Sequence, residues 1–137
     1  MSALDLLRAR ADLIGHARPA TSYCRSVGID WHRTEQATGG IFLAPVVADP
    51  PRSFRIDPAG ADAVVVDALD ERGSTVDLVS WRPGAPAQWR TFSGRAPVLG
   101  MAAAMNPNRD GPLRLWRAPE TWCQAGCDGA VLLDMAL

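Results

Sequence analysis

The chain has no lysine; all 14 of its basic side chains are arginine. Arginine is planar, permanently charged and a two-pronged donor, so a phosphate or carboxylate role is open to it. Alanine, glycine and proline are abundant beside it, which is the signature of GC-rich coding. Fifteen acids balance the arginines to a net charge of −1, which leaves no chain-wide pull toward nucleic acid and no acidic tail. No apolar run approaches the roughly 18 residues of a membrane span. Residues 1–17 carry Asp5, Arg8, Arg10 and Asp12 among their leucines, a pattern unlike a secretory leader. With only two histidines, acid–base hydrolysis has little to stand on. No phosphate loop, GxGxxG turn, GxSxG elbow or HExxH helix occurs. Three cysteines, Cys24, Cys123 and Cys127, are an odd number; without a leader they point to reduced thiols and a cytoplasmic chain.

What is present is enough apolar sequence for a core. A length of 137 residues suits one globular domain that hides roughly two-thirds of its unfolded surface. It divides into an N-terminal helical part (1–20), a strand-rich part (39–93) and a part that alternates helix and strand (96–137). Residues 2–17 predict an amphipathic helix, capped by Ser2 with Asp5 three residues on. Leu4, Leu7, Ala11 and Ile14 recur at helical spacing and form one apolar stripe, flanked by Leu6 and Leu13. Residues 21–36 show no clean period and read as irregular, with a helical turn around 22–26. Residues 41–48 read as a strand and 53–57 as a short edge strand. The clearest signal is an antiparallel hairpin, 63–69 and 74–82, joined by Asp70-Glu71-Arg72-Gly73. A third strand follows at 88–93. Residues 97–105 read as a short buried helix and 113–117 as a strand. Pro119 and Glu120 open another helix, and 130–133 read as a strand buried on both faces.

The expected fold is therefore a single α+β domain: a mixed sheet built on the hairpin, with two short C-terminal helices packed on it, and an N-terminal amphipathic helix. Its expected core holds Leu7, Ile41, Leu43, Val64, Val66, Val76, Leu78, Val98, Leu115, Trp122, Val131 and Leu133. From residue 63 the order β-β-β-α-β-α-β is similar to that of the ribonuclease H-like fold. The resemblance lies in element order alone and implies no function. Under it, Asp67 would be the first-strand acid of a two-cation phosphoryl-transfer site. The partner acids are missing: 97–105 contains none and 113–117 ends in Arg117. Asp134 follows the last strand. A turn or surface role for Asp67, Asp70 and Asp77 is the simpler reading.

Cys123 and Cys127 are four apart, a spacing that can share one helix face. With Cys24 and His32 they would make four zinc ligands, but the paired knuckles of zinc ribbons are absent. No metal and no cofactor is expected, and nothing marks any cysteine as a nucleophile. The remaining pattern is tryptophan beside a basic residue: Trp81-Arg82, Trp89-Arg90 and Trp116-Arg117, with Trp31-His32-Arg33 as a looser case. Aromatics beside arginines grip single-stranded nucleic acid, and both residue types are enriched at protein interfaces. Adjacent strand residues point to opposite faces, so a buried Trp beside an exposed Arg gives the same dipeptide. The expectation is a small non-enzymatic binding or accessory module acting through a protein partner, with a homodimer among its forms and no membrane. A nucleic-acid-associated protein using the Trp-Arg pairs stands second, and phosphoryl transfer around Asp67 third.

Overall fold

The computed structural model describes residues 2–106, 108 and 110–133. Helix α1 (Ala3–His16) opens the chain, followed by β1 (Arg18–Pro19), α2 (Thr21–Val27) and α3 (Trp31–Thr38). Five strands come next: β2 (Ile41–Asp49), β3 (Ser53–Ile56), β4 (Ala61–Leu69), β5 (Thr75–Arg82) and β6 (Ala85–Thr91). The rest alternates through β7 (Val98–Leu99), α4 (Met101–Ala104), β8 (Leu115–Trp116), α5 (Pro119–Gln124) and β9 (Ala130–Leu132). The α+β class is as expected.

The first sheet runs β1-β2-β4-β5-β6, antiparallel throughout, with β3 paired to the outer part of β2. Gly60 lets the chain return against β2, since a Cβ there would lie 2.5 Å from the Val46 carbonyl oxygen. The sheet curls until the start of β3 meets the end of β6. The Thr91 N–H donates to the Arg52 carbonyl at 3.2 Å, and Ser53 Oγ donates to the Phe92 carbonyl at 2.6 Å. Inside the curl, the Phe54 and Phe92 rings meet edge to face at 6.0 Å.

Strand β4 is buried on both faces, which explains its unbroken apolar run. On one face α1 lays Ala9 and Leu13 among Ala44, Phe54, Val65 and Leu78. On the other, Tyr23, Cys24, Trp122, Cys123 and Val131 pack over Val64, Val66, Val79 and Trp81. The molecule is thus three layers, with the curled sheet between α1 and the α2, α5 and β9 layer.

The structure corrects the sequence reading in four places. Residues 21–36 are not irregular: the expected turn at 22–26 lies within α2, and 31–36 lie in α3. Gly28 stops α2 in a left-handed conformation (φ 77°), and the Asp30 carboxylate caps α3 by accepting the His32 and Arg33 N–H groups. Helix α3 buries Thr34 and Thr38, and their hydroxyls donate to the Asp30 and Thr34 carbonyls. A buried face made of threonine has no apolar period to detect. Residues 97–105 are not a buried helix: Gly100 (φ 92°) separates β7 from the single turn α4, and no α4 residue is buried. Strands β7, β9 and β8 form a small sheet of their own, β8 parallel to β9 and β7 antiparallel to it, so the ribonuclease H-like order does not become one sheet. Finally, Leu7 and Leu115 of the expected core are 66% and 58% exposed.

Candidate functional site

The Trp-Arg pairs have separate structural duties. Trp81 is fully buried, and its indole N–H donates to the Tyr23 hydroxyl at 2.9 Å, so it offers no face to a base. Tyr23 in turn donates to buried Glu120 at 2.5 Å, and burial with that carboxylate pushes its phenol well above the ordinary value. Trp89 is half-buried and donates to the Arg117 carbonyl at 3.3 Å, while Trp116 donates to the Asp128 carbonyl at 2.6 Å. Arg90 donates to the Pro51 carbonyl (3.1 Å) and the Ser53 carbonyl (3.4 Å), holding β6 to the start of β3. Arg82 and Arg117 are exposed. Trp81, Arg82 and Arg90 border one small depression of about 170 Å³, and Trp89 meets Arg117.

The acids are also accounted for. Asp67 is buried beneath α1, where Arg10 donates to both its oxygens, at 3.3 and 2.5 Å, and Thr75 donates at 3.3 Å. Burial pushes its carboxyl up, against the opposing pull of Arg10. A cation already covers this carboxylate. Asp134, the other acid of the phosphoryl-transfer reading, lies outside the described residues. Asp77 is wholly buried and accepts four backbone N–H groups, from Leu78 and Ser93 on one oxygen and from Arg95 and Ala96 on the other. It pins the loop after β6 to β5. Asp70 accepts the Arg72 and Ser74 N–H groups and shapes the hairpin turn, as the turn reading expected. Among the described residues, no group of three or more His, Cys, Asp or Glu stands close enough to share a metal ion.

The unexpected feature is on α1. The helix starts at a complete capping box: Ser2 Oγ accepts the Asp5 N–H at 3.2 Å, and the Asp5 carboxylate accepts the Ser2 N–H at 2.8 Å. The sheet takes Ala9 and Leu13, on the face opposite the predicted stripe. Leu4, Leu7 and Ile14 are left 52%, 66% and 70% exposed, with Ala11 exposed between them. At its Ile14 end the stripe runs into an apolar groove of about 700 Å³, walled by Ala17, Pro19, Trp31, Ile41 and Phe42.

The chain matches no protein-family model, no curated protein and no solved structure. The stripe and the groove together form one run of apolar side chains from Leu4 to Phe42. Arg8 and Asp12 border one side of the stripe, and neither closes an ion pair among the described residues. No described helix is long and apolar enough to cross a membrane. Reasoning from sequence missed Trp31 and Phe42 as groove walls and the outward sense of the stripe. The available signal was apolar excess: α1 carries Leu6, Ala9 and Leu13 as well as the stripe, more than one buried face needs.

Proposed function

We propose that this protein is a non-enzymatic binding module that works through protein contact on the outer face of α1, and that the occupant of that face is a second copy of the chain. The single observation that carries the reading is the exposure of Leu4, Leu7 and Ile14 opposite a face that is already packed. Charge complementarity favours the second copy. When two α1 helices cross antiparallel about a two-fold axis, Leu4 comes opposite Ile14 and Leu7 opposite Ala11 of the other copy. Arg8 then falls beside Asp12 of the other copy, twice by symmetry. The same arrangement carries each Leu4 to the mouth of the other chain's groove. The three cysteines are free, which supports a reducing, cytoplasmic setting for the dimer.

Charge reversal tests this register. Arg8→Asp alone sets acid against acid, and Asp12→Arg alone sets base against base, so each weakens self-association. Mixed together, the two variants pair opposite charges at both positions and associate more tightly than either does alone. Sedimentation equilibrium reads all three samples. A wild-type chain that stays monomeric, or a mixture no tighter than the separate variants, overturns the proposal.

A further inference from the structure

A second site stands on the opposite side of the sheet and is independent of α1. Helix α5 carries Cys123 in its last turn and ends at Gln124, and the chain runs on through Ala125-Gly126 to Cys127. Cys127 has φ 61°, and among the described residues it is the only non-glycine with positive φ. An L side chain is disfavoured there, and glycine would suit the turn better. Such outliers persist where the surrounding structure holds them, and they cluster at working sites.

The surroundings of Cys127 fit a reactive thiol. Its sulfur lies 3.8 Å from Thr34 Oγ1. The Arg33 guanidinium lies over the turn, so close that a Cβ on Gly126 would sit 3.2 Å from Arg33 Nη1. Cys123 stands one turn before Cys127: the Gly126 N–H donates to the Cys123 carbonyl and the Cys127 N–H to the Trp122 carbonyl, each at 3.0 Å, and Cys127 packs against the buried cluster that holds Cys123. The neighbouring Cys123, with Thr34 and Arg33, holds the Cys127 thiol below the ordinary thiol value against the effect of burial. Cys123 is pushed up by Cys127 and by its own complete burial. Thiols near a cation and a hydroxyl are the ones that ionise and attack. Cys127 is also the only one of the three that is not buried. It lines a cavity of about 480 Å³ with Gln36, Leu99, Gly100 and Trp122, and the hairpin turn Asp70–Gly73 forms another wall.

We propose that Cys127 and Cys123 form a dithiol site that undergoes stoichiometric exchange with a small disulfide entering this cavity. The Cys127 thiolate attacks one sulfur of the small disulfide. A mixed disulfide forms, the original sulfur–sulfur bond breaks, and the first small thiol leaves with the proton Cys127 gave up. Cys123 then loses its proton and attacks the Cys127 sulfur, releasing the second small thiol and closing a Cys123–Cys127 bond. Two protein thiols are oxidised by two electrons, and one small disulfide is reduced to two thiols. Cys24, fully buried and with its thiol raised by burial, stays reduced.

The probe is an aromatic disulfide whose released thiol absorbs visible light, combined with intact mass. The native wild-type chain releases two thiols per chain and ends two hydrogens lighter, with no adduct. Cys123→Ser stops after one thiol and retains the aromatic adduct. Cys127→Ser releases none while folded. Cys127→Gly is the second variant: it relieves the left-handed turn, so it raises the thermal midpoint while losing the reaction. An unreactive wild type, a stable adduct on the wild type, or fast release from either Cys127 variant overturns the proposal.

Discussion

The two faces of α1 have nearly the same composition and opposite fates. The inner face sets Ala9 and Leu13 into the curled sheet and closes an ion pair from Arg10 to buried Asp67. The outer face presents two leucines, an isoleucine and an alanine in better helical spacing, and the sheet uses none of them. Spacing alone measures only that a helix has an apolar side. Which side faces the core is settled by shape and charge: small Ala9 admits close approach to the sheet, and Arg10 can reach Asp67 only from the inner side. A helix apolar on both sides has one partner in its own chain and room for another.

The difference between the faces is open to direct attack. Leu13→Ala strikes the inner face at a fully buried side chain and should cost about 3 kcal/mol, read from the urea midpoint. Arg10→Ala removes the cation over Asp67 and should cost about 2 kcal/mol at neutral pH, the figure being held down because Arg10 is one-third exposed. Its pH dependence has a definite sign. Burial already raises the Asp67 carboxyl in the folded chain, so the folded state binds the proton more tightly than the unfolded state. Stability therefore falls as pH rises from the ordinary aspartate range through the raised one. Without Arg10 that fall steepens, and the variant differs from wild type little in acid and most at neutral pH.

Ser2→Ala opens the capping box between the two faces and should give a smaller loss. The bonds to Ser2 hold the Asp5 carboxyl below its ordinary value. The contribution is present above the ordinary range and disappears as pH falls through the lowered one, so the variant and wild type converge in acid. The smallest effect belongs to the outer face. Ile14→Ser should change the unfolding midpoint of dilute chain by no more than about 0.5 kcal/mol. A loss as large as that of Leu13→Ala would erase the distinction between the faces.

Much of the fold was legible from sequence. The Asp70-Glu71-Arg72-Gly73 turn marked the β4–β5 hairpin, and Ser2 with Asp5 marked the start of α1. The Gly28 stop and Asp30 cap of α3 were also in the sequence, but they were hidden because Thr34 and Thr38 supply its buried face. The separation of the C-terminal strands was not legible, since a two-residue strand such as β7 or β8 carries no alternation to read. Of the candidate surface, the stripe was found residue by residue and its direction was not. The Trp-Arg dipeptides were visible but ambiguous. Their indole N–H groups end on Tyr23, Arg117 and Asp128, contacts set by tertiary packing rather than by spacing.

The most direct test of the two-faced helix is sedimentation equilibrium of the wild-type chain and Leu7→Asp, with the fold of each checked by circular dichroism. The account predicts a wild-type dimer and a folded, monomeric variant. A wild type that is monomeric throughout, or a folded variant that dimerises as well as wild type, would contradict it.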